Sequence, residues 1–347
     1  MNFIKYIFLL PFFLIKNISA YARPQKISQP LTIINTFESI DFYSQSNNVV
    51  SLSTIIKKKT NALIRMIRPT NIFPTICIGV SSGLIMNPSF VHLLKTKAFI
   101  ASNVIVLMIM SNSMIINDII DMHVDKQNNP NRPLVTGDIS VKESMFISFL
   151  LLSFSQLMNY KFISDYLRNI PTIANIIIYL YTPLLKRIPF IKNISCSLLV
   201  SMSLLFTGLS SDMSSGVVIN KNFPLLALAS QMLFVGSLYN EILLDIADIS
   251  GDRINKIYTL PVLLGEKETL KIVCNITAFN LLWCSINLSH MFGIYHGILL
   301  VLFWFPFLRN IVLINDSNYS RKSIMYAVRE TIKPMISCLI YFCFLSL

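Results

Sequence analysis

An uncharged run from Phe99 to Asn117 ends in three carboxylates, Asp118, Asp121 and Asp125. A run of that length crosses a bilayer as a helix, and on a helix positions i, i+3 and i+7 share one face. The chain must therefore carry a row of negative charge at the end of a membrane helix, which is tolerated only where something cationic offsets it. A second row answers it: after an uncharged run from Asn222 to Asn240 come Glu241, Asp245, Asp248 and Asp252, at i, i+4, i+7 and i+11. Two such faces brought together can share Mg²⁺ ions and, through them, a diphosphate, because hard carboxylate oxygens suit Mg²⁺ and leave positions for phosphate and water.

The rest of the chain fits a membrane setting. Of 347 residues 54% are hydrophobic and 13% charged, too little charge to cover a soluble enzyme of this size. The formal net charge of +12 raises nucleic-acid binding, but the excess falls in short loops between apolar runs and reads as a topology signal, so no nucleic-acid partner is expected. Six cysteines, none in a CxxC pair, sit in apolar segments and read as small buried hydrophobes. His123 has no second His or Cys nearby and reads as peripheral.

In chain order, residues 1–22 form a signal-peptide-like segment whose apolar core is too short to span. Residues 23–60 are a polar, acid-poor leader, read as a plastid transit peptide or a disordered tail outside the folded domain. Residues 61–347 read as one transmembrane domain with nine segments, at 64–86, 98–120, 142–160, 170–185, 191–209, 223–244, 268–289, 291–313 and 325–345. Loops on one side of this arrangement hold 20 Lys and Arg, against five on the other, Lys95, Lys97, Lys161, Arg168 and Lys221. The imbalance supports alternate crossings and puts both acidic rows on the positive-inside face, which in a plastid would be the stroma.

The motifs resemble those of a known family. Asn117-Asp118-x-x-Asp121-x-x-x-Asp125, followed by Asn131-Arg132-Pro133-Leu134 and Gly137-Asp138-Ile139-Ser140, is similar to the first signature of the UbiA superfamily of intramembrane prenyltransferases. Asp245-x-x-Asp248-x-x-Gly251-Asp252-Arg253, with Thr259-Leu260-Pro261-Val262 and Gly265, resembles the second. The resemblance runs over roughly residues 64–345. It implies an all-α membrane protein, a nine-transmembrane-helix UbiA-like bundle with the cavity between its second and sixth helices.

It also implies roles. Asp118, Asp121 and Asp125 match one set of Mg²⁺ carboxylates, and Asp245, Asp248 and Asp252 the other. Arg68 and Asn71 resemble the start of the first helix, near the diphosphate. Asn117 opens the first motif, and Lys126, Arg132 and Arg253 are basic residues beside the motifs. Tyr179, Tyr181, Lys186 and Arg187 resemble the fourth-helix signature, with Lys186 the expected diphosphate contact and a tyrosine ring a candidate support for an allylic cation. Glu241, one turn before Asp245, extends the metal or diphosphate network or pairs with a basic residue.

The chemistry follows. An allylic isoprenyl diphosphate ionises when the charge growing on its leaving group is stabilised, and the cation then needs a dry, lipid-like site with a nucleophile. The partners expected are that donor, a hydrophobic or amphipathic acceptor and the bilayer. Subtype signals are mixed: Asn128-x-Pro130-Asn131-Arg132-Pro133 resembles chlorophyll synthases and archaeal lipid-forming members, and Asp248 speaks against the former. Asp118 and Arg132 are usually replaced in homogentisate-type enzymes. The leading expectation is an aromatic or quinone precursor as acceptor. Chlorophyllide or glycerol-lipid transfer, cyclisation of the diphosphate, and a non-catalytic transporter or assembly protein are the alternatives.

Overall fold

The computed structural model describes residues 52–212, 220–254 and 256–347. The signal-like segment and the leader up to residue 51 lie outside the described residues. The chain divides after Ile55, and the helical bundle belongs to the unit from Ile56 onward. Among the described residues every regular element is a helix: α1 Leu52–Met66, α2 Ile72–Met86, α3 Phe90–Lys95, α4 Lys97–Ile120, α5 Met122–Asn128, α6 Pro133–Thr136, α7 Val141–Phe162, α8 Asn169–Tyr181, α9 Ile191–Ser210, α10 Phe223–Ala247, α11 Ile249–Ile254, α12 Leu260–Leu264, α13 Glu266–Phe292, α14 Ile294–Asp316, α15 Arg321–Glu330 and α16 Ile332–Leu345. Two 3₁₀ turns, Pro69–Asn71 and Leu185–Arg187, precede α2 and α9.

Among the described residues seven helices are long and apolar enough to cross a membrane, against nine expected segments: α2 with its leading turn, α4, α7, α9, α10, α13 and α14. The other two expected segments are shortened by proline. α8 stops after 13 residues because Pro183 has no N–H to give the Tyr179 carbonyl, and the segment at 325–345 breaks at Thr331 into α15 and α16 because the Pro334 ring crowds the Glu330 carbonyl.

α4 packs along α7, α9 along α10, and α13 along α14, while α2 touches both α9 and α16 and so closes the bundle. α10 is the most buried of the seven. Without a hydrophobic drive between helices in lipid, association rests on close backbone approach and interhelical hydrogen bonds. A Cβ on Gly208 of α9 would lie 2.7 Å from Leu226 Cδ1 and 3.2 Å from the Ser82 carbonyl oxygen, so three helices meet at that glycine. Beside it the Ser82 and Thr207 hydroxyls are 2.7 Å apart. Asn112 accepts from Ser148 at 2.6 Å between α4 and α7, and Gln231 donates to Asn280 at 3.0 Å between α10 and α13.

α1 begins inside the stretch expected as leader. Its Ala62 and Met66 are buried with Ile115, Leu134 and Ile139, so the helix is anchored by apolar contact, and its first turns lie before residue 61. Charge reinforces it: Lys58 Nζ lies 3.1 Å from Asp138, Arg65 also pairs with Asp138, and Lys59 pairs with Glu143. Glu143 and Ser140 form a reciprocal capping box at the start of α7.

Two outcomes are expected. A Cβ at Gly297 would fall 2.5 Å from the Ser285 carbonyl oxygen, so Gly297→Ala must part the α13–α14 hairpin and should cost about 1–3 kcal/mol, read as a lower unfolding midpoint in detergent. The Asp138 carboxyl is held at about 2 rather than 3.8, chiefly by the Arg65 hydrogen bond. A depressed carboxyl stabilises the fold above its ordinary pKa and loses that contribution as pH falls through the folded value. Wild type should therefore lose more thermal stability between about pH 5 and pH 2 than Asp138→Asn, compared over the same pH series.

Candidate active site

The first acidic row sits where α4 gives way to α5, and each carboxylate is held by a different polar partner. Asp118 is buried and accepts hydrogen bonds from Arg132 and, at 3.3 Å, from Arg68 Nη2. Asp121 accepts from Lys186 Nζ at 2.5 Å. Asp125 Oδ1 accepts from Asn129 at 3.0 Å, and its other oxygen, also buried, accepts no hydrogen bond, with Arg132 Nη1 3.6 Å away. Asn117 accepts from the Thr182 hydroxyl. Arg68 can reach Asp118 because Pro69 ends the preceding helix and Arg68 turns at φ 51°, re-aiming the chain before α2. Burial lowers the Arg68 pKa, with Asp125 and Asp121 opposing, as expected of a guanidinium drawn into a protein among carboxylates.

The second row sits at the end of α10. Asp245 is buried, with Lys192 Nζ 2.6 Å from one oxygen and Asn193 Nδ2 donating at 2.9 Å to the other. Asp252 accepts from Thr259 at 3.1 Å, and burial raises its pKa against the pull of Lys192. Asp248 faces outward and lies 3.2 Å from Arg321 Nη2. One turn deeper on α10, Glu241 lies close to Cys196 of α9 and Tyr181 of α8.

One short connection joins the two rows. Lys186, just after α8, holds Asp121, and Lys192 and Asn193, at the start of α9, hold Asp245. The link between α8 and α9 thus ties the end of α4 to the end of α10, on the face that charge asymmetry had marked as positive-inside.

The expected residues separate accordingly. Asp118, Asp121, Asp125, Arg68, Arg132 and Lys186 gather at one row, with Asn117 beside them. Asp245, Asp252, Glu241 and Tyr181 gather at the other. Tyr179 is exposed, since two residues apart on α8 it points away from Tyr181. Lys126 and Arg253 are exposed on α5 and α11, Asn71 is half-buried in the turn beside Arg68, and the Arg187 side chain is not among those described. Lys192, Asn193, Thr182 and Arg321 were given no role from the sequence, and Thr259 appeared there only as part of the second motif. Lys192-Asn193 carried a signal: a charged and an amide residue open an otherwise apolar membrane run on the same side as both acidic rows.

Among the described residues no three Asp, Glu, His or Cys side chains already form a metal cluster. The site instead alternates carboxylates with cations. The donor set is nonetheless all hard oxygen, and the unbonded Asp125 oxygen faces a basic residue rather than a hydrogen-bond donor at bonding distance, so the residues suit a divalent cation without being pre-gathered around one.

Known proteins carry the same fold. A digeranylgeranylglyceryl phosphate synthase of Methanosphaera stadtmanae is 26% identical over 244 residues, 70% of this chain and 82% of that protein. A solved structure described as that of a digeranylgeranylglyceryl phosphate synthase in membranes superposes with a TM-score of 0.65 at 23% identity, covering 83% of this chain and 99% of the other. A UbiA homologue from Archaeoglobus fulgidus, bound to GPP and Mg²⁺, superposes with a TM-score of 0.59 at 22% identity over 81% of this chain and 99% of the other. The model of the UbiA prenyltransferase family matches residues 72–329, and the chain, with two acidic helix ends tied to one basic link, belongs to that family of multi-pass membrane prenyltransferases.

Proposed function

We propose that this prenyltransferase moves the prenyl group of an allylic isoprenyl diphosphate onto a hydroxyl of a glycerol-lipid acceptor, with Mg²⁺-dependent release of diphosphate. The acceptor class is supported by the Methanosphaera relative, named for glycerol-lipid prenyl transfer, and by the joint retention of Asp118, Arg132 and Asp248. It takes precedence over the aromatic or quinone acceptor that the sequence alone had put first. The plastid expectation rests on residues that are not described, and the archaeal relative lends it no support.

The observation that carries the reading is the pairing of every first-row carboxylate and of Asp245 with a basic or amide partner. Asp118, Asp121, Asp125, Asp245, Asp248 and Asp252 would hold Mg²⁺, which supplies charge neutralisation at the leaving diphosphate. A carboxylate engaged by a cation lets go of Arg or Lys. With Mg²⁺ held there, Arg68, Arg132, Lys186 and Lys192 would be available to diphosphate oxygens, so that charges in the low-dielectric site would stay paired. The donor C1–O bond then breaks with its electrons on the diphosphate, the acceptor oxygen bonds to C1, and the hydroxyl proton passes from that oxygen to the released diphosphate. Arg132 is suited to the diphosphate because a guanidinium meets phosphate oxygens two at a time.

Reconstituted protein offered C10–C20 allylic diphosphates and a panel of glycerol-lipid, aromatic and chlorophyllide acceptors should give a prenyl ether of the glycerol lipid by mass spectrometry, only with Mg²⁺ or a similar ion. Prenylated aromatic as the sole product would overturn the acceptor assignment. Asp118→Asn should keep the bundle folded and lower turnover about a hundredfold or more, the scale for removing one preorganised charge contact. Full activity in that variant would remove Asp118 from the site.

A further inference from the structure

The loop that follows the first acidic row carries Arg132 to Asp118, and something outside the row holds that loop in place. Arg65, on α1, touches both ends of its turn. One guanidinium nitrogen, Nη1, lies 3.5 Å from the Asn131 carbonyl oxygen, immediately before Arg132. The other, Nη2, donates to the Asp138 carboxylate, just past Gly137, whose φ of 73° reverses the chain. Between these two points run Arg132 and the short helix Pro133–Thr136. Lys58 adds a second cation to Asp138. Beneath, Leu134 and Ile139 of the same loop are buried against Ala62 and Met66 of α1.

We propose that Arg65 is a positioning residue for prenyl transfer: it clips the two ends of the 131–138 turn together, so that Arg132 stays on the first acidic row. The inference rests on the functional reading above. It also assigns a role to α1, which precedes the family match at residue 72. A single exposed ion pair is worth little, but here one planar fork bridges two points of a loop whose underside is already fixed by apolar contact. The guanidinium needs only to hold a register that packing has narrowed. Lysine cannot do this, having one point charge rather than a fork.

The test is a double-mutant cycle on donor turnover. Arg65→Ala should lower kcat/KM for the allylic diphosphate about tenfold or more, the scale on which small misplacement of a charged contact acts. In an Arg132→Ala background the same change should have almost no effect, because the residue through which Arg65 works is gone. Independent, multiplying effects would overturn the proposal. Arg65→Lys should fall short of wild type; full activity in it would show that charge alone suffices and no clip exists. Amide exchange across residues 129–140 gives a readout that does not need turnover. It should rise in Arg65→Ala, and unchanged exchange would overturn the clip whatever the enzyme's acceptor proves to be. Should Arg65→Ala fail to fold, Asp138→Asn cuts the other end of the clip and enters the same cycle. Wild type inactive with every donor would count against the functional reading, leaving the exchange experiment to decide the clip.

Discussion

Burying a carboxylate at the end of a membrane helix costs several kcal/mol unless an opposite charge sits within contact, and this requirement organises the protein. Lys192 and Asp245 are both nearly enclosed and 2.6 Å apart; Arg132 lies on Asp118. Such pairs add little net stability, since desolvation offsets most of the attraction, but removing one partner strands a buried charge. The arrangement is therefore poorly explained as scaffolding. On the function proposed above, its value is that a second charge system, cation plus diphosphate, would replace each pair with another equally matched.

That logic also accounts for the shape of the polypeptide around the site. Helices α4 and α10 bring their carboxylates to the membrane edge, and breaks in neighbouring helices bring cations to meet them. Pro69 frees Arg68 to turn toward Asp118, and Pro183 ends α8 so that Lys186 can leave the helix and reach Asp121. The same two prolines that interrupt helices thus deliver basic side chains to the acidic rows. α8 is too short to count as a span for the reason that makes it useful.

The sequence made the acidic rows, their common face and most helix positions legible, because uncharged runs and i, i+3, i+7 spacing are local properties. It placed continuous segments where α8 is only 13 residues long and where the last segment divides at Thr331, since hydropathy is indifferent to a proline that breaks a run without lowering its apolarity. Partners separated by tens of residues were legible only where type and side were both unusual, and so Lys192 left a trace while Thr182 did not. A hydroxyl in a polar loop is too common to mark itself. α1 went unread for a related reason: its lysine run looks like a solvated leader until Ala62 and Met66 are seen packed beneath the first-motif loop.

Acceptor identity was the hardest property to read because the motifs act on the leaving group. On that reading the basic residues of the two rows meet the diphosphate and the carboxylates hold its metal ion, a task common to all acceptors. Discrimination has to come from which acids and bases are kept. Asp248 weighs against the chlorophyll-synthase resemblance, and Asp118 with Arg132 weighs against the homogentisate type. Weighed one at a time these signals conflict, but the lipid-forming resemblance is compatible with all three. Asp248 also stands apart physically: it faces outward to Arg321 on α15, beyond the core in which Asp118 and Asp245 are buried. An acid at the rim costs little to keep or lose, which is the behaviour expected of a position that varies between branches while the buried rows hold the shared chemistry.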